Sequence, residues 1–255
     1  MRYTAMLLLM CLPLLAPAQE TATEILNKML ETLRQQESFS YEAHYQLNAH
    51  TPGAQKVSGL VHLYRDDTEP VLGGMAWLSE GVKYETYSFY NRQHRYVVLK
   101  AIRKVWKERM PAGGAMGLSS LADNLLEVPF LKLNQWKEQW NKLSWSRQTD
   151  TTISGTPCYT LTGSHADVRE NWYISRSGFV PVLHTTTQQR GGQTEHTSLL
   201  LRNHQLGKTD METFNPATAI PEGYTIESRD REVPKGVQPE VRPRDQWPLP
   251  GNRGR

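Results

Sequence analysis

From Phe39 to Asn48 the side chains alternate without a break. Phe39, Tyr41, Ala43, Tyr45 and Leu47 are apolar, and Ser40, Glu42, His44, Gln46 and Asn48 between them are polar. A period of two over that length marks a strand with one face buried and one wet, the pattern of antiparallel sheets. Similar runs follow at about 55–65, 71–79, 82–90 and 94–102, separated by Asp66-Asp67, Glu80-Gly81 and Asn91-Arg92. They resume at about 143–151, 156–164, 169–176, 179–188 and 194–202, with turn residues in Asp150 to Gly155, Ser175 to Gly178 and Arg190-Gly191-Gly192. Connections this short join neighbours in an antiparallel meander. The inward parity of the second and third runs stays open, because Leu60 competes with Leu63 and Trp77 with Leu78.

Helical periods flank and interrupt the strands. Ile25, Leu26, Met29, Leu30 and Leu33 share one helix face, with Thr21 or Thr23 available as N-cap and Glu24 completing a capping box with Thr21. Thr51-Pro52-Gly53 turns the chain after the first strand. The flexible Pro111-Ala112-Gly113-Gly114 precedes Leu118, Leu121, Ala122, Leu125 and Leu126, again at helical spacing, until Pro129 stops the helix. A further helical turn is expected to carry Trp136 and Trp140, and Gly113, Gly114 and Gly117 would let this inserted segment hinge as a lid.

The N-terminus reads as an export signal. Arg2 is followed by an apolar run from Ala5 to Leu15 and then Ala16-Pro17-Ala18, so cleavage is expected after Ala18. The run is short of the roughly 20 residues that cross a bilayer. Cys11 follows Met10, where a lipid-modified cysteine requires a small neighbour, so a periplasmic protein without a lipid anchor is expected. About 237 residues then remain, within the range of one all-β domain of roughly 200–250 residues. That domain is placed at 19–227, and 228–255, with Pro234, Pro239, Pro243, Pro248 and Pro250 among charges and glycines, reads as a disordered tail or linker. With 29 basic and 26 acidic residues and a net charge of +3, nothing resembles a nucleic-acid-binding arm. After cleavage only Cys158 is left, which excludes an internal disulfide and dithiol chemistry and reads as a cysteine packed in a strand.

Catalytic patterns do not emerge. His44, His50, His62, His94, His165, His184, His196 and His204 are scattered, with no H-x-H or H-E-x-x-H pair to put two metal ligands on one face. There is no G-x-S-x-G elbow, and Gly163-Ser164-His165-Ala166-Asp167 gathers triad residue types only along a turn. Gly53, Gly59, Gly73 and Gly74 belong to turns or strand bends and form no phosphate loop. No catalytic residue, metal or cofactor is expected.

The order of elements carries a resemblance. Asn171-Trp172-Tyr173-Ile174-Ser175, then Phe179-Val180-Pro181-Val182, then a hairpin at Gly191-Gly192, and finally Phe214-Asn215-Pro216 and Ile220-Pro221-Glu222-Gly223-Tyr224 are similar to the paired strands and closing motif of LolA-like periplasmic lipoprotein carriers. The resemblance covers about Thr21 to Thr225. It implies a mainly β fold with some α: a strongly curved antiparallel sheet, a half-open β-barrel whose helices cover the concave face. It also implies that the concave space holds the acyl chain of a lipid or lipoprotein. Similar domains form the front half of exported TlpA-type thioredoxin-like proteins, and Val233 to Gly251 reads as the linker of such a fusion, although no Trp-Cys-x-x-Cys follows.

On that frame, Tyr41, Tyr45, Leu47, Trp77, Tyr87, Phe89, Leu121, Leu125, Trp145, Tyr159, Trp172 and Ile174 are the candidates to line an acyl-binding cleft. The basic cluster Lys100, Arg103, Lys104, Lys107 and Arg109 lies beside Val105, Trp106 and Met110 and offers Lys104, Lys107 and Arg109 to a headgroup or membrane surface. The expected function is sequestration of a lipid or acylated lipoprotein by a monomer, without turnover and with transient membrane contact. The alternative is an envelope interaction module with a packed core, in which the surface or the proline-rich tail positions a partner protein.

Overall fold

The computed structural model describes residues 19–49, 51–69, 72–80, 86–92, 94–109, 121–190 and 192–229. The export signal, the glycine hinge at 113–117, Leu118 and the proline-rich tail lie outside the described residues.

The chain opens with helix α1 (Ala22–Arg34), whose capping box forms as expected: Thr21 N–H donates to Glu24 Oε2 at 2.7 Å and Glu24 N–H to Thr21 Oγ1 at 3.2 Å. Strands β1 (Ser38–Leu47), β2 (Gln55–Arg65), β3 (Gly74–Glu80), β4 (Thr86–Asn91), β5 (His94–Leu99) and β6 (Lys104–Arg109) follow as a meander. A 3₁₀ segment, Leu121–Leu126, and helix α2 (Leu133–Trp140) form the insertion. The second series is β7 (Ser144–Arg147), β8 (Thr151–Ile153), β9 (Thr156–His165), β10 (Val168–Ser175), β11 (Pro181–Arg190) and β12 (Gln193–Leu206), then helix α3 (Pro216–Ala219) and β13 (Thr225–Ser228). The hydrogen-bonded chain runs through Arg229, whose N–H donates to Lys107 O at 2.8 Å, two residues past the expected boundary at 227.

All of these strands belong to one large curved, unclosed sheet, ordered β13-β6-β5-β4-β3-β2-β1-β12-β11-β10-β9-β7 with β8 on β9. The two meanders meet where β1 pairs with β12, Tyr45 opposite Leu199 and Ala43 opposite Leu201. One pairing departs from the antiparallel expectation, since β13 lies parallel to β6. The expected run at 94–102 stops at Leu99, because Lys100–Ile102 forms a 3₁₀ turn closed by Arg103 in the left-handed region at φ 50°. The run at 143–151 is two short strands, and the hairpin to β9 turns at Ser154-Gly155, both at positive φ.

Alternation sorts the side chains onto two faces. Phe39, Tyr41, Ala43 and Tyr45 of β1, Val61 and Leu63 of β2, Ala76 and Leu78 of β3, Trp172 and Ile174 of β10, and Leu199 and Leu201 of β12 form one core with the buried stripe of α1, Ala122 and Leu125 of the 3₁₀ segment, and Trp136 and Trp140 of α2. This is the helix face. The inward parity that the sequence left open is therefore Leu63 and Leu78. On the opposite face a smaller core of Tyr87, Phe89, Tyr96, Val98 and Val105 packs with Trp77 and with Ala219, Ile220 and Tyr224 from the C-terminal stretch. That stretch is held by Gly207 N–H to Ser38 O at 2.9 Å and by Asn91 Nδ2 to Phe214 O at 3.1 Å.

Candidate functional site

On the helix face, the 3₁₀ segment sits on the sheet as a plug. Leu125 is fully buried. It lies over Gly59 of β2, where a Cβ would stand 2.0 Å from Ser79 O and 3.0 Å from Leu125 Cδ1, so the bare glycine admits the close passage of the β3 backbone and leaves room for the Leu125 methyl above it. Tyr41 O–H donates to Leu125 O at 2.8 Å, and Tyr90 O–H donates to Asp123 Oδ1 at 2.8 Å. Arg95 Nη2 pairs with the same Asp123 oxygen at 3.4 Å. Burial pushes both phenols well above their ordinary value, the Asp123 charge adding to this at Tyr90, so both stay protonated and can donate. These attachments are side-chain bonds and one ion pair, not ladder bonds of the sheet.

Beside the plug stands a tryptophan cluster. Trp172 meets Trp136 edge-on at 5.8 Å between ring centroids and Trp140 at 5.4 Å, and its ring is stacked on His184 at 3.9 Å. Trp145 adds a further edge contact to Trp140 at 6.1 Å and donates Nε1–H to Trp140 O at 2.9 Å. It also covers Gly163, where any Cβ would come within 2.8 Å of the indole. Trp172 Nε1–H donates to Glu170 Oε2 at 3.2 Å. Burial pushes the Glu170 carboxyl up, but His184, with Nε2 at 3.6 Å, and then the Trp172 indole outweigh it, so the carboxyl titrates below its ordinary value. Trp140 Nε1 is buried without a hydrogen-bond partner among the described residues.

The helix face thus gathers Tyr41, Tyr45, Leu47, Leu121, Leu125, Trp145, Tyr159, Trp172 and Ile174. Trp77, Tyr87 and Phe89 are not with them. Trp77 pairs with Phe89 and Tyr87 with Ser79, and all three rings stand on the other side of the sheet, because Ala76 and Leu78 take the inward positions of β3. The three basic candidates also separate. Lys104 pairs with Glu227 at 2.6 Å, whereas Lys107 lies over the Tyr96 ring at 6.0 Å on the face of the smaller core, and Arg109 ends the same strand two residues on. Ser164 to Asp167 forms the exposed end of the β9–β10 hairpin, Gly163 is buried in β9 under Trp145, and Cys158 is buried in the same strand. Among the described residues, no three His, Cys, Asp or Glu side chains group as metal ligands. A groove of about 380 Å³ between α1 and α2, lined by Asn27, Lys28, Leu30, Glu31, Arg34 and Lys137, is charged and separate from the aromatic face.

Sequence reasoning assigned Gly59 only to a turn or strand bend and passed over Tyr90, Arg95 and Asp123. Asp123 sits between apolar Ala122 and Leu125 on a helical stripe, and a carboxylate at such a position is the one signal that a buried cation was waiting for it. Its charge reaches Glu80. Burial and then the Asp123 charge raise the Glu80 carboxyl above its ordinary value near 4.5, with Arg95 opposing. Between the ordinary and the raised value the native state holds more protons than the unfolded chain, so this residue lowers stability as pH rises through that window. Glu80→Gln is accordingly expected to raise the thermal midpoint at pH 7. The gain should fade as the pH falls toward 4.5, and a gain independent of pH would refute this coupling.

No protein-family model matches the sequence, and no curated protein does. Solved structures do resemble it. An uncharacterized conserved protein from Thermus thermophilus is 9% identical, with 82% of this chain covering 99% of that one at a TM-score of 0.45. A LolA superfamily protein from Nitrosomonas europaea is 11% identical, with 77% of this chain covering 98% of that one at a TM-score of 0.34. The Pseudomonas aeruginosa MucA/MucB complex matches at 15% identity, with 74% of this chain covering 58% of the matched chain at a TM-score of 0.43. One of these matches bears the name of the family that the sequence motifs resemble.

Proposed function

We propose that this chain is an exported, non-catalytic binding protein of the periplasm. In this reading the helix face is the concave, helix-covered side of a half-open barrel and takes up the acyl chain of a lipid or lipoprotein in the place that Leu121, Ala122 and Leu125 now occupy. The observation that carries it is the plug itself: a fully buried leucine delivered onto a glycine by a segment that contributes no strand to the sheet. Displacing two leucines forfeits roughly 3–6 kcal/mol of burial, while an acyl chain of about ten methylenes returns roughly 8 kcal/mol. That difference is set against the Asp123–Arg95 pair and the Tyr41 and Tyr90 hydrogen bonds, which break when the segment leaves. The unpartnered Trp140 Nε1 supplies a donor for an ester or amide carbonyl at the end of the chain. No described helix is long and apolar enough to cross a membrane.

Native mass spectrometry of protein purified gently from its own envelope fraction, with lipid extraction of any adduct, tests the reading. A lipid or lipopeptide at defined stoichiometry is expected. An apo mass that fails to shift with added phospholipid or acylated peptide would overturn it. That result would favour a second reading, an envelope module that binds a partner protein and keeps its interior closed, which the complete burial of Tyr41, Phe130, Trp172 and Ile174 supports.

A further inference from the structure

Two of the largest exposed apolar side chains lie together at one end of the sheet. Ile102 is 57% exposed at the tip of the β5–β6 turn, and Ile226 is 52% exposed on β13. Thr225 N–H donates to Arg103 O at 3.1 Å and Ile226 aligns with Val105, so the two isoleucines flank the same edge. Cations surround them. Residues 100–109 and 225–229 contain Lys100, Arg103, Lys104, Lys107, Arg109 and Arg229 against only Glu108 and Glu227. Lys104 is taken by Glu227, and Arg229 is folded over Trp106 at 3.4 Å. Lys100 Nζ lies over the Tyr87 ring at 5.4 Å and Lys107 Nζ over the Tyr96 ring at 6.0 Å, which places both ammonium groups on the face where Ile226 stands.

We propose that this edge, formed by the β5–β6 turn, β6 and β13, docks the protein on an anionic lipid surface, with Ile102 and Ile226 entering the headgroup layer and Lys100, Arg103 and Lys107 meeting lipid phosphates. Exposed β-branched side chains ringed by basic ones match both parts of such a surface, apolar below and negative above. A protein partner for the same patch would need its own apolar pocket among acidic residues. The inference is independent of acyl binding, because its residues lie on the other face and edge of the sheet from the plug.

Flotation of the purified protein with vesicles of 30% phosphatidylglycerol in phosphatidylcholine, against pure phosphatidylcholine, tests it. Binding to the anionic vesicles only, falling steeply with salt, is expected. Lys100→Gln and Lys107→Gln should each weaken it about fivefold, and Ile102→Ser with Ile226→Ser should weaken it at least tenfold while leaving the thermal midpoint unchanged. Equal flotation with both vesicle types, no flotation, or full binding by the double serine variant would overturn the proposal. So would a soluble acidic protein that binds the patch while vesicles do not. Because lipid adducts are read in a separate experiment, failure here leaves the acyl-binding reading standing, and the converse holds.

Discussion

Trp172→Ala is expected to destabilise the protein by about 4 kcal/mol, the middle of the range for deleting a large aromatic from a core. The indole is fully buried, two tryptophans of α2 meet it edge-on, and His184 is stacked on its remaining face. No neighbour can relax into the space without breaking another of these contacts, because Trp136 and Trp140 are themselves held by α2. The loss is sharpened at Glu170, which would forfeit its indole donor and keep only His184. Urea unfolding followed by far-UV circular dichroism measures it. Trp172→Phe should recover about half the loss, since it refills the hole but returns no N–H. A Trp172→Ala protein within 1 kcal/mol of the native one would mean that the cluster is loosely packed.

Asp123→Ala is expected to cost about 3 kcal/mol and to release the plug. Removing one member of a buried ion pair leaves its partner's charge in a poor solvent, which typically costs roughly 3–5 kcal/mol. Tyr90 also loses its acceptor. The figure sits at the low end because Arg95 still senses Glu80 and Glu108, and because Glu80 is relieved of a like charge. Asp123→Asn keeps an acceptor for Tyr90 and should cost less. Hydrogen exchange at the amides of Leu121–Leu126 separates local from global effects. Their protection should fall in Asp123→Ala by more than global unfolding accounts for, and unchanged protection would remove the plug from the mechanism.

Where one face of a strand is covered, its alternation read correctly. Phe39, Tyr41, Ala43 and Tyr45 point as the sequence indicates, and α1 buries the stripe that its spacing defines. In β3 and β4 the rule lost its contrast, because the C-terminal stretch packs Ala219, Ile220 and Tyr224 on the far side, so apolar residues of both parities are needed and Trp77 competes with Leu78. No local pattern announces a cover arriving from more than 100 residues away. β6 was hidden by its charges: an edge-proximal strand of Lys, Trp, Lys, Glu and Arg reads as solvated surface until β13 pairs with it. The plug was legible as an apolar helical stripe, but its docking was not, since its attachments, Tyr41, Tyr90 and Arg95, come from distant strands.

The pairing of β1 with β12 sets the order in which this protein can come into being. A chain emerging N-terminus first completes β1 through β6 as a local meander, yet one edge of β1 stays open until residues near Leu206 arrive. Closing a loop of that length is slow, and the waiting edge is a template for foreign strands. The middle of the finished sheet is thus a late seam, followed only by the docking of β13 on β6, and any holding factor that accompanies the chain would need to shield that edge.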